Sequence, residues 1–366
     1  MVALKKFKSL ILISITSLLF ASCSNIDFLN LIDKTVKQKK EAPAPVLQKQ
    51  EVVTPKIVEQ VKPVRYEWNK LNNNENVKKY CKKVNKKFLH WGWGLSRCNK
   101  IKWHHVRNSV LGDPLIWVSF GDESRKKKNI DTTMVLCGVH GDEITPIKFC
   151  FDLIYYLIEN YNTHYSQRNI VVAPIVNPDS FFKKHPTRTN HRHIDINRNF
   201  PTADWNDMAI RLWKKRYRSD KRRFPGNRPL SEPEVVFQVN LIKRYKPSKI
   251  ISVHAPLTML DYDGPTLVSD VESVVGYKAN ALLKSMSQKA KGYRVKDYPF
   301  FPGSLGNYAG NERGIPTFTL ELPSSDNRRH KEFWKLFKPA LQSALLHDLR
   351  DDLPLSADAQ TESNNI

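Results

Sequence analysis

The chain of 366 residues has only five cysteines, and its 36 acidic side chains are outnumbered by 59 Lys and Arg. No cysteine stands in a motif that would activate a thiol, so cysteine-based nucleophilic catalysis has no candidate residue. The shortage of acid leaves a formal charge of +23, or +20 once Lys5, Lys6 and Lys8 near the N-terminus are set aside. Aromatic residues are scarce between positions 24 and 65, where Pro43, Pro45, Pro55 and Pro63 alternate with Lys, Gln and Glu. Such a stretch cannot bury enough apolar surface to offset its conformational entropy, so residues 23–65 are expected to be a flexible tether. The polar stretch 353–366 is expected to be a disordered tail.

What is present begins with an export signal at 1–22. Three lysines precede an apolar core from Ser9 to Phe20, and Ala21-Ser22-Cys23 supplies small residues before a cysteine. This looks like a bacterial lipoprotein cleavage site, with Cys23 becoming the lipidated N-terminus; an ordinary signal peptide or an uncleaved anchor is the alternative. Ser24 resembles the outer-membrane sorting pattern of Gram-negative bacteria. The expected location is therefore the cell envelope, as a periplasm-facing lipoprotein held on the outer membrane by its acyl chains.

The remaining length, about 290 residues, suffices for one large domain. Residues 66–104 form a small basic and aromatic extension, and 105–352 a catalytic domain of α/β class. Cys81 and Cys98 flank the aromatic segment and are candidates for a disulfide in an oxidising compartment. Cys137 and Cys150 lie in apolar surroundings and are expected as small core residues. Positive charge concentrates at Lys78–Lys102 and Arg211–Arg228, the second tract interleaved with Trp213 and Tyr217. Basic residues among aromatics can bind nucleic acid. In an exported protein no nucleic-acid partner is expected; an anionic substrate or polyanionic envelope material fits better, and a plain solvated insertion remains open.

Apolar, β-branched runs at 132–139, 169–176, 249–253 and 316–322 are expected strands, alternating with helices at 144–159, from 231, 276–291 and 332–349. Ser231 with Glu234 three residues on makes a capping box, and Pro339 predicts a kink or break in the last helix. Two strand ends carry the chemistry. His140-Gly141-Asp142-Glu143 follows the first run, and His254 ends the third. A His-x-x-Glu pair alone is weak, but a distant His at a second strand end completes a zinc ligand set. His140, Glu143 and His254 would hold one Zn2+ per chain and leave its fourth position to water.

Between the ligands stand Arg188-Thr189-Asn190 and Asp195-Ile196-Asn197-Arg198-Asn199-Phe200-Pro201, then Ser231-Glu232-Pro233-Glu234 and, near the C-terminus, Thr319-Leu320-Glu321-Leu322-Pro323. Together these resemble the zinc metallocarboxypeptidases of the carboxypeptidase A type, over roughly residues 105 to 350. That ligand set is a stock example of a catalytic zinc site. The tracts Ser252–Leu257, Asp261-Tyr262-Asp263-Gly264 and Pro302–Gly306 are similar to those of the murein peptide amidase branch. The resemblance implies a single domain with a central mixed, twisted sheet flanked by helices. It implies Glu321 as general base, Arg188 as oxyanion group, and Asp195 as the carboxylate behind a zinc-bound His. Asn197 and Arg198 would grip the substrate's terminal carboxylate, Tyr298 would cover bound substrate, and Leu305 would line the side-chain pocket.

Leu305 and Gly306 offer no acidic group for selecting Lys or Arg. The implied reaction is cleavage of a peptidoglycan stem peptide at γ-D-glutamyl–diaminopimelate, with peptidoglycan or its stem peptides as partner. A general periplasmic carboxypeptidase, an N-acyl amino acid deacylase and a non-catalytic wall-binding lipoprotein are the rival expectations. Oligomeric state is not legible.

Overall fold

The computed structural model describes residues 74–121, 130–264, 274–296 and 298–350. The signal at 1–22, Cys23, the tether at 23–65 and the tail at 353–366 lie outside the described residues.

Helix α1 (Glu75–His90) opens the described chain, with the Asn74 side chain accepting the Val77 N–H at 3.0 Å as its cap. Next come strands β1 (His104–Asn108), β2 (Pro114–Phe120) and β3 (Thr132–Cys137), helix α2 (Ile144–His164) and strand β4 (Asn169–Ala173). The single turn α3 (Pro178–Phe181), α4 (Trp205–Lys215) and α5 (Pro233–Tyr245) lead to β5 (Lys249–His254) and β6 (Met259–Asp263). The chain closes with α6 (Val274–Lys289), β7 (Val295–Lys296), β8 (Thr317–Glu321) and α7 (His330–Leu346).

The strands form one eight-stranded mixed sheet in the order β1-β2-β4-β3-β5-β8-β6-β7. Its middle, β4, β3, β5 and β8, is parallel, while β2 and β6 flank it antiparallel. Parallel neighbours need long crossovers, and helices supply them. β3 and β5 are buried at every position. That is why they read as unbroken apolar runs rather than as alternating ones. Alternate residues still part: Val135, Cys137, Ile251 and Val253 face α1, α2, α6 and α7, whereas Met134, Leu136 and Ile250 face α5. At the start of β5 the buried Lys249 ammonium meets Asp131 at 2.9 Å, and Arg168 joins the same carboxylate at 2.8 Å. The strand therefore has one charged anchor at its start and a site residue, His254, about 17 Å away at its end.

The extension is not a satellite. Val77, Tyr80, Val84 and Phe88 line the inward stripe of α1 and join the same core as α2, with Phe88 edge-on to Phe151 at 4.9 Å. Cys81 and Cys98 are joined in a disulfide, Cα–Cα 5.2 Å. Two expectations fail. Cys137 and Cys150 are paired rather than free, because the turn from β3 into α2 returns the helix onto the strand end and brings their Cα atoms to 6.3 Å. Ser231 and Glu234 make no capping box. Glu232 occupies the cap, the Ser231 hydroxyl donates to it at 2.7 Å, and Glu234 is drawn instead to the Asn190 amide. Of the kink or break expected at Pro339, the break does not occur: α7 continues through it, with one buried stripe of Phe333, Phe337, Leu341 and Leu345 spanning both halves.

Candidate active site

Three chain segments meet at the carboxyl ends of the parallel strands, where open α/β sheets place their sites. After β3 the chain turns at Gly138, which has φ +61°, and a Cβ there would stand 2.8 Å from Ile147 Cγ1. The turn carries His140 inward and leaves Glu143 at the mouth of α2. β5 ends on His254. His140 Nδ1 lies 2.7 Å from Glu143 Oε1, and His254 Nδ1 lies 2.8 Å from Glu143 Oε2. Donor atoms of the three buried residues fall within 4.8 Å of one another.

The opposite ring nitrogens are also held. His140 Nε2 sits 3.2 Å from Asp195 Oδ1, and His254 Nε2 sits 2.9 Å from Ser252 Oγ. With the Nε2 protons given to these acceptors, both Nδ1 lone pairs face the shared point, which is the tautomer a metal requires. Two imidazoles and a carboxylate, oriented this way, fit zinc.

Asp195 also accepts Arg188 Nε at 2.9 Å, so one fully buried carboxylate orients a ligand and an arginine together. Burial would push its carboxyl up, but Arg188 and His140 hold it well below the ordinary carboxylate value. The loop carrying both residues is pinned by Asn190, whose amide donates to Glu232 Oε2 at 2.7 Å and Glu234 Oε2 at 3.1 Å. Burial pushes the Glu234 carboxyl up to about 7, with its backbone N–H and the Asn190 amide opposing. A raised carboxyl stabilises the fold fully below its ordinary value of 4.5, and that contribution is lost as pH rises through about 7. Glu234→Gln is expected to remove on the order of 3 kcal/mol of this pH sensitivity. Urea unfolding at pH 4.5 and 8 measures it; equal pH slopes in the two proteins would refute the assignment.

Glu321 ends β8, and the parallel register pairs it directly with His254. One carboxylate oxygen, Oε2, accepts the Leu257 N–H at 3.2 Å. Burial pushes its carboxyl up from the ordinary value, His254 opposes, and Glu143 adds to the rise. The His254 turn continues through a cis Ala255–Pro256 bond, with Ala255 N–H donating to Glu143 Oε2 at 3.3 Å.

These groups line a cleft of about 630 Å3 that also holds Arg188, Asn197, Arg198 and Tyr298. Asn197 Oδ1 accepts the Leu305 N–H at 2.8 Å. The Arg198 guanidinium lies 4.7 Å over the Phe301 ring, and its buried Nε has no hydrogen-bond partner among the described residues. Tyr298 is 39% exposed at the mouth, with its backbone N–H on Asp261 Oδ1 at 2.9 Å. Leu305 is placed otherwise than expected. Its side chain is buried in the core just before the wide π-helical turn at Gly306–Asn311, and Ser304 lines the cleft instead.

The acidic groups absent from Leu305 and Gly306 come from β6. Asp261 and Asp263 line the cleft, and Asp263 packs so closely on Gly306 that a Cβ there would stand 2.3 Å from its Cγ. Register places Met259 opposite Glu321 and Asp261 opposite Thr319, so Asp261 stands about 7 Å along the strand from the level of Glu321. The alternation of Met259, Asp261 and Asp263 was the signal in the sequence that these residues share one face. On another wall stand Arg216, Tyr217, Arg222 and Arg223, so part of the basic tract faces the cleft rather than solvent alone.

Residues 96–344, more than half of the chain, match the zinc carboxypeptidase family, and the chain belongs to it. It is a zinc-dependent peptidase whose metal set is His140, Glu143 and His254. The sequence is 31% identical over 231 residues to murein peptide amidase A of Escherichia coli (strain K12), covering 62% of this chain and 84% of that protein. It is 29% identical over 218 residues to murein peptide amidase A of Vibrio campbellii, covering 59% and 77%. In fold it matches the crystal structure of carboxypeptidase A from Helicoverpa armigera, with a TM-score of 0.53, 16% identity, and 78% of this chain on 77% of that one.

Proposed function

We propose that the protein hydrolyses the γ-D-glutamyl–diaminopimelate bond of peptidoglycan stem peptides and releases the C-terminal residue. The similarity to murein peptide amidases over most of their length carries the reading. The cleft supports it chemically. Diaminopimelate ends in both an ammonium and a carboxylate, and the cleft wall offers both carboxylates, at Asp261 and Asp263, and arginines. An ordinary apolar terminal residue would leave those charged groups facing a hydrocarbon side chain.

In this reading Asn197 and Arg198 take the terminal carboxylate, where a guanidinium gives two parallel charge-assisted bonds. Bound zinc supplies a water acidified to a pKa near 7 and a polarised scissile carbonyl. Glu321 takes the proton of the attacking water and passes it to the leaving amine; its Leu257 contact fixes one oxygen. Arg188, locked by Asp195, donates to the developing oxyanion. The same proposal places the enzyme in the cell envelope, tethered through a lipidated Cys23 and residues 23–65. Mass spectrometry of muropeptides incubated with zinc-loaded protein tests it, with Glu321→Gln as control. Tripeptide stems should lose diaminopimelate only with intact Glu321. Unchanged muropeptides together with release of ordinary C-terminal L-residues would make it a general carboxypeptidase.

A further inference from the structure

Arg216, Arg222 and Arg223 are cationic groups in the cleft used by neither the metal set nor the carboxylate grip, and of these Arg222 touches the metal-binding turn. Arg222 stands on the 3-10 turn Lys221–Arg223, with a side chain 62% exposed, and its Nη1 meets Asp142 Oδ2 at 3.0 Å. Asp142 precedes the metal ligand Glu143, and its backbone N–H is tied to Thr187 O at 3.2 Å. Asp142 Oδ1 is buried with no hydrogen-bond partner among the described residues, so this carboxylate is committed on one side to Arg222. The guanidinium therefore stands beside the metal-binding turn and lines the cleft, with donors beyond the one that meets Asp142.

Its place relative to the scissile bond follows from the other walls. Arg198 and Arg216 both lie over Phe301, and Asn197 is tied to Leu305, which groups the terminal-carboxylate end of the cleft around residues 301–305. Arg222 instead contacts the turn that carries His140 and Glu143. A substrate gripped at the first end and cut at the metal runs its acyl part past Arg222. A γ-linked acidic residue carries its free α-carboxylate there, with three carbons between it and the carbonyl being cut.

We propose that Arg222, positioned by Asp142, binds the free α-carboxylate of a γ-linked acidic residue on the acyl side of the scissile amide. It is thereby a specificity determinant for an acidic residue on that side. This rests on the stem-peptide reading above and adds to it the group that recognises the free carboxylate. A planar fork suits a carboxylate geometrically, and such charge-assisted bonds are the strong ones.

The test compares two tripeptides, L-alanyl-γ-D-glutamyl-diaminopimelate and its analogue with the D-glutamyl α-carboxylate converted to a carboxamide. Full-length zinc-loaded enzyme should favour the carboxylate by about 10- to 100-fold in kcat/KM. In Arg222→Ala that ratio should collapse to near one, and Arg222→Lys, with charge but no fork, should restore part of it. Calorimetric binding of L-alanyl-D-glutamate against L-alanyl-D-isoglutamine should show the same preference and the same loss. A wild-type ratio near one, or a ratio that survives in Arg222→Ala, overturns the proposal while leaving the amidase reading intact. If neither tripeptide is cut, the amidase reading fails instead, and dipeptide binding with no Arg222-dependent preference overturns the Arg222 assignment as well.

Discussion

Replacing Glu321 with Gln is expected to lower kcat by about a thousand-fold while zinc content and thermal stability hold or rise. The side chain is isosteric and keeps an oxygen for the Leu257 N–H, so the β8 terminus and its pairing with His254 are undisturbed. What disappears is a group able to accept a proton, and a positioned general base contributes about 10^2- to 10^4-fold. Stability should not suffer, because burial already disfavours the ionised carboxyl and an amide avoids that cost. A catalytic residue that is locally unfavourable to the fold fits the pattern in which active sites trade stability for function. Measuring kcat on a stem peptide, zinc by mass spectrometry and the melting temperature on the same preparation separates the possibilities. A kcat within tenfold of wild type would remove Glu321 from the role of base. A fall in zinc content would make its effect indirect.

The parts of this site that could be read in the sequence are those where local pattern and chemistry coincide. His140 and Glu143 share one tight turn, and His254 ends an apolar run, so a strand-end zinc set was legible before any register was known. Fold class was legible for the same reason: β3 and β5 are buried on both faces and leave unbroken apolar runs. What could not be read depends on which strands become neighbours. The tract holding Asp261 and Asp263 stood out in the sequence by resemblance, but its place in the cleft follows only once β6 pairs with β8 and sets both on the same side of the sheet as Glu321. Leu305 misled because its side chain packs into the core cluster with Tyr308 and Ala309, leaving Ser304 of the same tract on the cleft wall. Glu234 matched the capping pattern, but a buried Asn190 amide outcompeted the helix end for its carboxylate. The pairing of Cys137 with Cys150 likewise depended on how the turn after β3 folds α2 back. For the two aspartates, Glu234 and the cysteine pair, a partner distant in the chain decided the outcome over local pattern.

Substituting His254 with Ala is expected to abolish turnover and to reduce zinc from about one per chain to a trace after dialysis. Three protein donors are the minimum for a catalytic site of this kind, and the two that would remain, His140 and Glu143, lie on a single turn. Without the strand-borne ligand the metal would lose its link between β5 and the turn after β3. The Nε2 partner gives a graded control. Ser252→Ala leaves the ligand but removes the acceptor 2.9 Å behind it, and such outer contacts are worth about 10- to 100-fold in metal affinity. Zinc that binds only the folded protein stabilises it by mass action, so a chelator should lower the wild-type melting temperature. In His254→Ala the chelator should change nothing, and in Ser252→Ala it should act at lower concentration than in wild type. Stoichiometric zinc retained by His254→Ala would show that the metal is held by other residues. An unaltered chelator response in Ser252→Ala would show that the serine does not hold the imidazole for the metal. The series thus separates loss of a ligand from loss of its orientation, which activity measurements alone would merge.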